Sequence, residues 1–131
     1  MSYDLYFWRQ TKDMQMTPGE IIDLLSEDKP VDGIACFPRT RVRAVLKKSF
    51  ADIQDGDFDL TWEGDGSYFQ IAFTHATEKD VHLIIANCGY ELIKAENAVN
   101  RLIDACTSLG CALYDPQNDK RYEQPESAAE G

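Results

Sequence analysis

Between Ala51 and Gly66 stand six carboxylates (Asp52, Asp55, Asp57, Asp59, Glu63 and Asp65) and no lysine or arginine. Phe58, Leu60 and Trp62 alternate there with Asp57, Asp59, Thr61 and Glu63, which is the two-residue period of a half-buried strand. Like-facing residues on a strand recur at about 6.6–6.8 Å, so Asp57, Asp59 and Glu63 form a row of carboxylates. Asp52, Asp55 and Asp65 extend it at either end. Such a row attracts a basic partner and speeds the encounter. The plain alternative is a solvated strand face that merely tolerates like charges. Tyr68 shares the wet side of the following strand with Gln70 and Thr74 and so neighbours the row. Tyrosine among acids suits a protein-docking surface.

Other chemistries fare worse. D-x-D-x-D from Asp55 resembles the opening of a calcium loop, but Leu60 stands where that loop requires glycine and Glu63 comes too early to close it. His75 lies at a turn and His82 in an apolar strand, and no nucleophile occupies a turn such as G-x-S-x-G. Arg39, Arg41, Arg43, Lys47 and Lys48 form a basic segment without an aromatic platform, inside a chain of net charge −10. That charge argues against direct binding to nucleic acid or an anionic membrane. The four cysteines, at 36, 88, 106 and 111, form no CxxC pair, and three lie in or beside apolar segments as small hydrophobes. The opening residues lack a signal-peptide pattern and no apolar run is long enough to span a bilayer, so the expectation is a reduced, cytoplasmic protein without cofactor or metal.

The elements that must position these residues follow from periodicity. Tyr90 to Leu109 carries Leu92, Ala95, Val99, Leu102, Cys106 and Leu109 at gaps of three and four, an amphipathic helix of about five turns ended by Gly110. Tyr3, Leu5 and Phe7 line one face of an opening strand and Tyr6 and Trp8 the other, the pattern of a strand inside a sheet. Thr17-Pro18-Gly19-Glu20 starts a helix with a capping box, buried through Ile21, Ile22, Leu24 and Leu25 and stopped at Asp28-Lys29-Pro30. A second helix runs from about Pro38 to Ser49 on Val42, Val45, Leu46 and Phe50. Glu63-Gly64-Asp65-Gly66 turns the acidic strand into Ser67–Thr74, and Val81–Ala86 adds a third strand in a meander. Cys111–Tyr114 is the last strand, and Tyr90, Tyr114 and Tyr122 flank loops.

The predicted fold is α+β, a mostly antiparallel sheet of about five strands packed with three helices in the order β-α-α-β-β-β-α-β. Residues 1–116 form one domain, as the length of 131 residues suggests, and 117–131 form a flexible C-terminal tail.

Y-D-L-Y-F-W-R from Tyr3, F-A-D-I from Phe50, W-E at Trp62 and L-G-C-A-L-Y-D-P-Q from Leu109, in a compact acidic build, resemble small bacterial immunity proteins. These accompany contact-dependent growth inhibition and other polymorphic toxin systems. The resemblance implies a cytoplasmic toxin inhibitor that binds a cognate toxin, commonly a nuclease with a basic cleft, by stoichiometric non-covalent inhibition. It assigns no residue; the candidate partner-binding set Asp52, Asp55, Asp57, Asp59, Glu63, Asp65 and Tyr68 rests on pattern. The alternatives are a regulatory or structural binding module, as a homodimer through a sheet edge or hairpin, and, third, a small-molecule enzyme.

Overall fold

The computed structural model describes residues 2–12, 15–29, 31–55, 59–64, 67–75, 77, 79–89, 96–116 and 120–122. The chain order is β1 (Ser2–Trp8), α1 (Pro18–Ser26), β2 (Phe37–Pro38), α2 (Arg39–Ser49), β3 (Gln54–Asp55), β4 (Asp59–Gly64), β5 (Ser67–His75), β6 (Asp80–Gly89), α3 (Glu96–Ser108), β7 (Ala112–Asp115) and β8 (Lys120–Arg121). The α+β class and the order of the long elements are as expected. The two-residue strands β2, β3 and β8 are additional.

All strand pairings are antiparallel, in the spatial order β3-β4-β5-β6-β1-β7-β8, with β2 also paired to β6. The first strand therefore lies in the middle, held by β6 on one side and β7 on the other. That is why β1 is apolar on both faces. Leu5 and Phe7 enter one core, and Trp8 and half-buried Tyr6 enter the other.

The first core is the larger. α2 contributes Val42 and Leu46, its C-cap residue Phe50 joins them, and α3 adds Leu102, Ala105 and Cys106, followed by Leu109. They meet Leu60 and Trp62 of β4, Phe69, Ile71 and Phe73 of β5, and Ile84, Ala86 and Cys88 of β6. At its β4 end three rings close the space: Phe50 lies 4.9 Å from Phe69 and 5.3 Å from Trp62, and Trp62 stacks on Phe69 at 5.2 Å. The Arg101 guanidinium covers Phe50 at 4.4 Å and donates to the Ser49 carbonyl. Gly110, with φ 87°, takes the left-handed conformation expected after α3. Leu92, Ile93 and Ala95, expected on the same helix, lie outside the described residues.

On the opposite face α1 covers the second core with Ile21 and Leu25 over Trp8, Leu83 and Tyr114, joined by Ile34 and by half-buried Met16 and Val31. Thr17 Oγ1 accepts the Glu20 backbone N–H at 3.2 Å, as the capping box requires, and Pro18 occupies the first turn. Tyr114 is a correction, because it is 6% exposed inside this core instead of flanking a loop.

The tail also needs correction. Tyr114 pairs with Arg121 and Asp115 with Lys120, and Tyr122 N–H donates to Leu113. Arg121 lies over the Trp8 ring at 5.0 Å and donates to the Trp8 carbonyl. A residue counted as charged thus serves through its planar cation and long stem, so residues 120–122 belong to the domain.

Candidate functional site

Two helices bury one side of the sheet, while α1 covers only part of the other. Among the described residues no element covers the remainder of that second face, and the strand register lays out its residues. Glu63 pairs with Tyr68. Thr61 pairs with Gln70, which pairs with Asn87, which pairs with Asp4. Asp59 pairs with Ala72, then Ile85, then Tyr6. Glu63, Tyr68, Gln70 and Ala72 are exposed, and Thr61, Asn87, Asp4 and Tyr6 are half-buried. Tyr68, 43% exposed, is one of only two large hydrophobic side chains so exposed among the described residues.

The candidate set divides on this geometry. Asp59 and Glu63 share one strand face by register, and Tyr68 stands directly opposite Glu63. Asp57 and Asp65 lie outside the described residues. Asp52 is not part of the row, because its Oδ1 accepts the Trp62 indole N–H at 3.0 Å, on the side of the sheet that carries α2 and α3. A buried indole needs an acceptor, and Asp52 supplies it from the turn after α2. Asp55 pairs with Leu60, whose face is the buried one, and Gln54 takes the register position beside Thr61.

Asp4 was not among the sequence candidates. Its carboxylate accepts the Asn87 amide at 2.7 Å and also bonds the Tyr6 hydroxyl. Burial raises the Tyr6 pKa above its ordinary value, and the Asp4 charge and hydrogen bond add to the rise. The one available signal was the i, i+2 spacing of Asp4 and Tyr6; the partner Asn87 is 83 residues away in sequence.

Charge is divided between the two sides. α1, on the open face, carries exposed Glu20 and Asp23, with Glu27 and Asp28 just beyond it. With Asp4 and Glu63 they place carboxylates on this side, which also carries Arg121 over Trp8 and Lys29 paired with Glu27. The basic residues Arg39, Arg41, Arg43, Lys47 and Lys48 all belong to α2, behind the sheet.

No protein-family model, curated protein or solved structure matches this chain. Among the described residues no group of three or more His, Cys, Asp or Glu could hold a metal ion. No helix among them is long and apolar enough to cross a membrane.

Cys88, Cys106 and Cys111 are buried thiols, whereas Cys36 is exposed. Burial raises Cys106 well above the ordinary thiol value and pushes Cys111 up to about 12. Cys36 is raised more modestly, by partial burial and then by Asp80. Iodoacetamide at neutral pH is therefore expected to label Cys36 first, with the other three labelled only on unfolding. Peptide mapping by mass spectrometry checks the order, and early labelling of Cys106 would contradict the packing of α3.

Proposed function

We propose that this chain is a cytoplasmic immunity protein that binds the toxin domain of a cognate bacterial system. It inhibits by stoichiometric, non-covalent docking, without cofactor or turnover. The observation that carries the reading is the open acidic sheet face, where exposed Tyr68 stands opposite Glu63 beside the Asp4–Asn87 pair. A rigid sheet presents these groups with little ordering cost on binding. Its occupant is a basic protein surface, such as the phosphate-binding cleft of a nuclease. The carboxylates there replace phosphate as partners for the cleft's cations. A homodimer through the sheet edge has less support, since the described edge strands β3 and β8 are two residues each and short edges resist pairing.

The test has two stages. Basic proteins retained by the tagged chain at low salt are identified, and each is then expressed alone and with the chain. One of them is expected to arrest growth alone and to become harmless beside the wild-type chain. Protection is expected to fail when Asp59 and Glu63 are both changed to lysine, with the variant still folded. Partners that are harmless when expressed alone would overturn the immunity reading.

A further inference from the structure

Where α1 meets the far end of β5 and β6, two histidines surround a helix C-terminus. The register between these strands slips at Thr74/His75, so Thr74 pairs with Leu83 and His75 with Val81, leaving His82 as the extra residue. A bulge of this kind re-aims a side chain. Here it turns His82, 3% exposed, towards α1, where Nε2 lies 3.1 Å from the Leu25 carbonyl. Leu25 is one of the two fully buried anchors of α1. A second tie runs from the His75 backbone N–H to Asp28 Oδ1 at 2.8 Å, with Asp28 held at φ 57°.

The junction is incompletely bonded. Thr74 Oγ1 and His75 Nε2 are both buried without a hydrogen-bond partner among the described residues. Unsatisfied polar atoms lower the stability of the packing that buries them. α1 is only nine residues long and is anchored on the second core through Ile21 and Leu25.

We infer that this junction is an acid-sensitive latch, in which the closed packing disfavours a charge on buried His82, so that protonation lifts α1 from the sheet and uncovers Trp8 and Tyr114. The neutral imidazole donates Nε2–H to the Leu25 carbonyl. Protonation adds a second N–H and a full charge at a site nearly closed to water. The titratable groups acting on it among the described residues are Asp28, just beyond α1, and His75 on β5, with Glu27 and Lys29 flanking Asp28 in sequence. Glu27 and Lys29 pair with each other at 3.3 Å. Asp28 favours the cation and His75 opposes it.

Burial is the dominant influence and lowers the His82 pKa, with the Leu25 carbonyl and Asp28 pulling the other way. The open form binds its proton at the ordinary histidine value and the latched form at a lower one. Between the two the open form holds more protons, so latching is stable above about pH 6.5 and loses stability as pH falls below it. This inference does not depend on the proposed function.

Hydrogen exchange on the wild-type chain at about pH 7.5 and about pH 5, corrected for intrinsic exchange rates, tests it directly. Protection of the α1 amides is expected to fall at the lower pH while β1 and β6 keep theirs. Unchanged α1 protection, or equal loss throughout the sheet, would overturn the latch. His82→Gln retains a donor for Leu25 but does not titrate, and is expected to abolish the pH dependence of α1. If the folded variant still opens with acid, His82 is not the sensor.

Discussion

Changing Phe50 to alanine is expected to cost about 3–5 kcal/mol of folding stability, among the largest single effects in the chain. Phe50 is fully buried at the C-cap of α2, with Trp62 and Phe69 within 5.3 Å and Arg101 over its ring. Truncation removes the ring that both aromatic partners lean on and leaves a cavity that β4 and β5, fixed by their own register, cannot collapse to fill. Arg101 loses its cation–π contact at the same time. Urea unfolding followed by circular dichroism measures the loss. A cost below about 1 kcal/mol would mean that α2 does not pack against this end of the sheet.

Trp8→Ala tests the other core and is expected to cost a similar amount, about 3–5 kcal/mol. Trp8 is fully buried, 5.9 Å from Tyr114 and beneath Arg121, and its indole N–H donates to Gln10 at 3.1 Å. The substitution removes the floor under α1 and the ring that holds β8. Because Phe50 and Trp8 lie in separate clusters on opposite faces, their losses are expected to add to within about 0.5 kcal/mol. The sum, about 6–10 kcal/mol, approaches the whole stability of an ordinary domain, so the double variant is expected to be unfolded at room temperature. Strong non-additivity would mean that the two cores communicate through the sheet.

The long elements were legible because each carries its own period. Leu102, Cys106 and Leu109 are buried as spaced, Thr17 caps α1, and the two-sided apolar pattern of β1 matches its central position. Pairing order was not legible, since nothing local in Tyr3–Phe7 states that its partner is Ile84–Cys88. The strands β2, β3 and β8 are too short to show any alternation. Arg121 escaped notice because residue type alone does not show that a guanidinium will lie on a buried indole.

Part of the candidate site was legible for the same reason. The face shared by Asp59 and Glu63 follows from strand period, and Tyr68 falls opposite Glu63 because only Asp65 and Gly66 separate β4 from β5. The period stops where the strand stops, so it said nothing valid about Asp52, which bonds Trp62 across the other face. Asp4 and Asn87 become neighbours only once the sheet is assembled.

The open face as a docking surface is tested most directly by titrating the purified basic partner calorimetrically with the wild-type chain and with Asp59→Asn/Glu63→Gln, at low and at high salt. The expected result is one-to-one binding to the wild type that weakens with salt, and an affinity at least about tenfold lower for the variant, or 1.4 kcal/mol. Equal affinity for both chains at low salt would contradict the account and move the docking surface off the open face.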